Sequence, residues 1–256
     1  MIKPRKRFGQ NFLQDQNIIH SIVAAIHPKF QDILIEIGPG RGALTLPVLK
    51  KVQKLKAIEI DRDLSAYWKA QTLPGLELIE ADALTLDFSH FLENDNRKMR
   101  IFGNLPYNVA TPLLFHLIQF ADKIEDIHFM VQKEVADRIT AASGCKDYGR
   151  LSVMMQYYFK VSFLLSVGPE VFYPKPKVDS SVIRLIPHAV SPYSAVEKGQ
   201  LEKTVKLAFE HRRKTLKNNF GGLLAEEDWR KLGIDSRQRA ETLSVENFVA
   251  ISLYMV

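Results

Sequence analysis

The chain has one cysteine, Cys145, in 256 residues, so no intramolecular disulfide can form and no oxidising compartment is called for. That thiol reads as an ordinary loop side chain. Long apolar runs are also missing: no stretch approaches the roughly 20 residues a membrane helix needs. The start, Met1-Ile2-Lys3-Pro4-Arg5-Lys6-Arg7, is basic but is not followed by an apolar segment, so no secretory signal is expected. The expectation is a cytoplasmic, monomeric chain without a membrane partner. Internal repeats and low-complexity tracts are absent, which excludes solenoids and arrays.

What is present is an ordinary globular composition, 46% hydrophobic and 25% charged. The length suits one large domain with a smaller one attached. Lys+Arg number 35 against 29 Asp+Glu, a net charge of +6. The clustering says more than the sum. Lys3, Arg5, Lys6 and Arg7 form one group, and His211-Arg212-Arg213-Lys214 a second. Clustered cations attract polyphosphates such as RNA. A solvated tail and a solvated helix face are the plain alternatives, and charge alone does not separate them.

Short apolar runs at Ile33–Ile37, Leu55–Ile60, Leu76–Glu80, Arg100–Phe102 and Ile127–Val131 read as strands. Amphipathic stretches such as Asp63–Gln71 and Pro112–Ala121 lie between them. This alternation, continuing to about Ala142, predicts an α/β fold: a mainly parallel, doubly wound, Rossmann-like sheet with helices on both faces. Val161–Val167 and Ser180–Ile186 follow as β-like runs, joined by a proline-dense loop at 168–177. From His188 the pattern turns helical. The predicted domains are therefore 1–187 and a small all-helical domain, 188–256.

Glu36-Ile37-Gly38-Pro39-Gly40-Arg41-Gly42 closes the first predicted strand. Gly38, Gly40 and Ala43 also satisfy the dinucleotide fingerprint, so the turn alone leaves an NAD-dependent oxidoreductase open. Three carboxylates favour another cofactor. Glu36 suits the cationic methionine part of S-adenosylmethionine and repels a pyrophosphate. Glu59 can accept both ribose hydroxyls, and Asp82, with Ala83 beside it, can accept an adenine amino group. Pro39 removes a backbone donor that a phosphate loop would use. No metal is expected.

Asn104-Leu105-Pro106-Tyr107 follows the fourth predicted strand. An adenine amine is a poor nucleophile because its lone pair is delocalised into the ring. Two acceptors on its N–H groups favour a pyramidal nitrogen and stabilise the charge that develops on methyl transfer. The Asn104 side-chain oxygen and the Leu105 carbonyl can provide them, with Pro106 fixing the turn. Tyr107 offers a π face to the base.

On these motifs the sequence resembles the ribosomal RNA adenine dimethyltransferases, and within them the small-subunit enzymes. Gln10-Asn11-Phe12-Leu13, Tyr148-Gly149-Arg150-Leu151-Ser152-Val153 and Phe172-Tyr173-Pro174-Lys175-Pro176-Lys177-Val178-Asp179-Ser180 extend the likeness along nearly the whole chain. His211–Leu216, Gly233-Ile234, Arg239-Ala240-Glu241 and Leu243-Ser244 carry it through the second domain. The resemblance implies S-adenosylmethionine as donor, with S-adenosylhomocysteine as product. It implies dimethylation of two adjacent adenines near the 3′ end of small-subunit ribosomal RNA, with the assembling small subunit as partner. It further implies that Asn11, Leu13, Gly38, Glu59, Asp82 and Asn104 line the cofactor pocket, and that Tyr107 and Phe172 hold the target base. Phe172 is then expected to be dispensable for folding. A large-subunit adenine methyltransferase and an assembly factor without catalysis remain the alternatives.

Overall fold

The structure, a computed structural model, describes residues 9–92, 95–197 and 199–255. The cations Lys3, Arg5, Lys6 and Arg7 lie outside them. In chain order the elements are β1 (Phe12–Leu13), α1 (Gln16–Ile26), β2 (Ile33–Ile37), α2 (Thr45–Leu49), β3 (Leu55–Glu59), α3 (Arg62–Gln71), β4 (Leu76–Glu80), β5 (Met99–Asn104), α4 (Ala110–Leu117), β6 (Ile124–Gln132), α5 (Lys133–Thr140), α6 (Arg150–Tyr158), β7 (Phe159–Val167), β8 (Phe172–Tyr173), β9 (Ser180–Pro187), α7 (Gln200–Ala208), α8 (Leu216–Phe220), α9 (Glu226–Lys231) and α10 (Val245–Tyr254).

Among the described residues, seven strands form the main sheet in the order β4-β3-β2-β5-β6-β9-β7. The pairs β2–β3, β3–β4, β2–β5 and β5–β6 are parallel, and β6–β9 is antiparallel. The chain winds from β2 outward to β4, then returns to β5 on the other side of β2. That reversal opens a crevice at the carboxyl ends of β2 and β5, where such folds bind ligands. Gly103, near the end of β5, lies against β2 so closely that an added Cβ would stand 2.3 Å from the Ile37 carbonyl oxygen.

Local chemistry sets the flanking helices. Asp15 caps α1 by accepting the amides of Asn17 and Ile18, both at 2.9 Å, and the helix buries Ile19, Ile22, Val23 and Ile26. Asp61 caps α3 through the Asp63 amide at 3.0 Å. The amino end of β5 is fixed by Arg100, which forks onto Asp126 at 3.0 and 2.8 Å and reaches Asp32 at 2.6 Å. A buried guanidinium needs such carboxylates to offset its desolvation. The strand is thereby pinned at one end and presents Asn104 at the other.

The chain divides into two compact units. The first runs to Ala136 and resumes over Val161–Pro187; the second takes Asp137–Lys160 and the residues from His188 onward. A division at 187/188 alone therefore leaves out 137–160. Those residues are tied into the second unit. Arg150 donates to Glu202 at 2.6 Å, the Val196 amide donates to the Tyr157 hydroxyl at 3.3 Å, and that hydroxyl donates to the Ser194 carbonyl at 3.3 Å. Tyr148 packs edge-on to Phe209, and Trp229 edge-on to Phe220. Cys145 is exposed.

Candidate active site

The turn after β2 forms because three glycines take left-handed backbone angles, with φ of 70° at Gly38, 53° at Gly40 and 89° at Gly42. At Gly42 the space is also closed, since a Cβ there would meet the Trp68 ring at 2.6 Å. The Trp68 indole donates to the Gly40 carbonyl at 2.9 Å, fastening the turn to α3.

Above this turn lies a cleft of about 1090 Å³ including its open mouth. Its walls bring together Asn11, Leu13, Glu36, Gly38, Gly40, Glu59, Asp82 and Ala83 with Asn104, Leu105, Pro106, Tyr107 and Phe172. Segments remote in sequence thus converge on one space.

One wall is acidic. Glu59 is 5% exposed, and its Oε1 accepts the Asp61 amide at 2.9 Å. Burial raises its pKa, opposed by the amides of Asp61, Gly40 and Ile60. Glu36 is 2% exposed, and its Oε2 has no hydrogen-bond partner among the described residues. Burial, reinforced by the Glu59 carboxylate and opposed by Thr45, pushes its pKa up to about 8. Asp82 spends Oδ1 on the Leu84 amide at 2.9 Å. A cationic ligand would favour the ionised forms that burial disfavours here, and a polyphosphate would oppose them.

Glu36 makes stability depend on pH. Its folded pKa of about 8 lies above the ordinary 4.5. Between those values the native state keeps a proton that the unfolded chain has lost. The Glu36 contribution to stability is thus fully present at low pH and declines as pH rises, by up to about 1.4 kcal/mol per unit. Glu36→Gln removes this term, so melting temperatures of the unliganded variant should fall less between pH 5 and 8 than those of the parent. Parallel pH profiles would show that Glu36 is ionised throughout.

The tetrad lines the same cleft from the end of β5. Asn104 donates through Nδ2 to the Asn11 carbonyl at 3.0 Å. That bond orients the amide and leaves Oδ1 as its acceptor. The Leu105 amide donates to the Met130 carbonyl at 3.0 Å, and the Val109 amide to the Pro106 carbonyl at 3.0 Å, closing the turn. Tyr107 is half-buried with its hydroxyl 3.4 Å from Ser180 Oγ, and burial raises its pKa.

Phe172 lines the cleft but is also core. It is 5% exposed, pairs with Leu13 across β1–β8, and packs in the cluster with Ile19, Phe102 and Val182. The expectation that it is dispensable for folding does not hold, because a ring with that burial leaves a large void when removed.

Gln10, Phe12 and Arg41 belong to sequence motifs, but their partners were not legible in the sequence. Gln10 donates to Asp61 at 2.9 Å, tying the amino-terminal segment to the start of α3. The Arg41 guanidinium lies 4.5 Å from the Phe12 ring centroid. Only the tertiary structure unites these pairs.

The second cationic group belongs to the second unit. Residues 211–214 form a turn after α7 and not a helix face. The Asn219 side chain takes the Ala208 and His211 carbonyls at 2.6 and 3.3 Å and holds the chain in that turn. Arg212 pairs with Glu241 at 3.4 Å and donates to the Lys146 carbonyl. Arg213 and Lys214 are exposed, with no ion pair among the described residues. Also among the described residues, no acidic, histidine or cysteine cluster fit for a metal occurs, and no helix is long and apolar enough to cross a membrane.

Comparison with known proteins agrees with this arrangement. The model of the ribosomal RNA adenine dimethylase family matches residues 1–256. The ribosomal RNA small subunit methyltransferase A of Laribacter hongkongensis is 52% identical, over 97% of this chain and 95% of that one. The protein of the same name from Legionella pneumophila (strain Lens) is 51% identical, over 98% of each. The crystal structure of a dimethyladenosine transferase from Plasmodium falciparum superposes with a TM-score of 0.76 at 26% identity, covering 94% of this chain and 95% of that one. The chain belongs to the ribosomal RNA adenine dimethylase family.

Proposed function

We propose that this chain transfers methyl groups from S-adenosylmethionine to the exocyclic amines of two adjacent adenines near the 3′ end of small-subunit ribosomal RNA. The observation that carries the reading is Asn104, oriented by the Asn11 carbonyl, at the rim of an acid-walled cleft. The choice of subunit rests on the relatives at 51–52% identity, which are named for the small subunit. The assembling small subunit is the natural partner of such an activity.

The cleft residues fit the donor. The unpartnered Oε2 of Glu36 and the Glu59 carboxylate answer a positively charged ligand with ribose hydroxyls. Bound there, S-adenosylmethionine supplies an electrophilic methyl group on a cationic sulfur. Asn104 Oδ1 and the Leu105 carbonyl accept the N–H groups of the target amine and release its lone pair for attack. Tyr107 and Phe172 offer aromatic faces to the base, which must leave its stack to enter. The amine becomes cationic as it is methylated, so its proton passes to water without a strong base.

Calorimetric titration with S-adenosylmethionine, S-adenosylhomocysteine and NAD tests the cofactor directly. Glu59→Ala should weaken the first two by about 1.5–3 kcal/mol, the cost of a lost charge-assisted hydrogen bond. NAD binding to the parent, or unchanged affinity in the variant, contradicts the assignment. The turn at 211–214 is assigned to RNA phosphates, a role carried by Arg213 and Lys214 because Arg212 is held by Glu241. Replacing both with Glu should lower the slope of log affinity against log salt by roughly one to two units, and should leave cofactor binding alone. An unaltered slope would make them solvated surface charges.

A further inference from the structure

We propose that Tyr173, with Lys175 and Lys177, forms a second RNA subsite that takes the nucleotide adjoining the adenine held in the cleft. The proposal rests on reading the cleft as an RNA adenine site.

Consecutive side chains of a strand point to opposite faces. In β8 this separates two aromatic rings that are neighbours in sequence. Phe172 is 5% exposed and lines the cleft, whereas Tyr173 is 54% exposed. Tyr173 thus turns its ring to solvent while its chain neighbour Phe172 and its strand partner Phe12 both line the cleft, so the nucleotide adjoining a base in the cleft is the one within its reach. The Tyr173 backbone is fixed by pairing with Phe12, whose ring lies under Arg41 at 4.5 Å. The tyrosine backbone is thus held beside the cleft-lining Phe12 by a strand pair, so little backbone order remains to be imposed on binding.

The charge that follows points to the same ligand. Lys175 and Lys177 are exposed and make no ion pair among the described residues. Pro174 and Pro176 restrict the backbone around them, which lowers the entropy lost when the lysines settle on phosphates. An aromatic platform beside unpaired cations is the chemistry of single-stranded nucleic acid binding, where bases stack and phosphates are neutralised. An exposed tyrosine alone would mean nothing. Here it directly follows the cleft-lining Phe172 and is followed by two cations with no ion pair among the described residues.

The test is anisotropy of a short single-stranded oligoribonucleotide with two adjacent adenines, intact or with either neighbour of the target made abasic. Tyr173→Ala and Tyr173→Leu should each weaken the intact RNA by about tenfold, the loss of one stacked base, while Tyr173→Phe stays near the parent. Tyr173→Leu keeps an apolar side chain and so guards against a folding defect. On one of the abasic RNAs, parent and variants should bind alike, since the partner of the ring is gone. Lys175→Ala with Lys177→Ala should reduce the salt slope by roughly one to two units. Parental affinity in Tyr173→Ala, or the same loss on intact and abasic RNAs, overturns the subsite. Methyl transfer by the parent is read separately. Transfer without any Tyr173 effect sinks the subsite alone, and the Tyr173 signature without transfer sinks the proposed function alone.

Discussion

Asn104→Ala should slow single-turnover methyl transfer by about a hundredfold or more, the usual scale for losing one preorganised polar partner of a developing charge. The side chain sits at the end of β5 and is oriented by one bond, Nδ2 to the Asn11 carbonyl at 3.0 Å. Its removal opens no void in the core, so the melting temperature should stay close to that of the parent. RNA affinity should hardly move. Cofactor affinity should fall modestly, because Asn11 lines the same cleft and loses its partner. A variant that transfers methyl groups at the parental single-turnover rate would falsify the role given to the tetrad.

Phe172→Ala should lose both folding stability and activity. The ring is 5% exposed among Leu13, Ile19 and Val182. Truncating a buried phenylalanine costs about 3–5 kcal/mol through lost burial and the cavity left behind. Inactivity of this variant would therefore say little about stacking. Phe172→Leu separates the two roles. It keeps most of the volume and should cost less than about 1.5 kcal/mol of stability, yet it removes the aromatic face, worth roughly 1–3 kcal/mol per base. Near-parental melting with methylation reduced about tenfold or more is the expected result. Full activity in a folded Phe172→Leu protein would leave Phe172 as core alone.

The contrast at Phe172 shows where the sequence was informative and where it was not. Short, mostly apolar runs bounded by turn residues were legible: Ile33–Ile37 and Leu76–Glu80 are strands with those bounds. The first is buried inside the sheet and apolar at four of five positions; the second lies at the sheet edge and is partly exposed, with Glu77 and Glu80 among its residues. The strand read as Ile127–Val131 is longer, Ile124–Gln132. Its first part carries Glu125 and Asp126, and Asp126 is tolerated inside only because Arg100 forks onto it. Sequence pattern cannot show a partner that lies 26 residues away. Two-residue strands leave no periodicity, so the β1–β8 pair that buries Phe172 was invisible. The same holds for the Gln10–Asp61 tie across the crevice, which spans 51 residues. Residues 137–160 continue the helical pattern before them, yet Arg150 and Tyr157 bind them into the second unit through Glu202 and Val196. The motif residues were easier to read. The glycine turn, the carboxylates at strand ends and the Asn-Leu-Pro-Tyr turn follow strands whose order fixes where they meet.

The central claim is that the cleft dimethylates two adjacent adenines of small-subunit ribosomal RNA. Mass spectrometry of nucleosides and of nuclease fragments from both ribosomal RNAs, in cells with and without this gene, tests it most directly. Dimethyladenosine at two neighbouring positions near the small-subunit 3′ end should disappear with the gene, return with the parental gene, and not return with Asn104→Ala. Small-subunit RNA that keeps both dimethyladenosines without the gene, or a loss confined to large-subunit RNA, would contradict it.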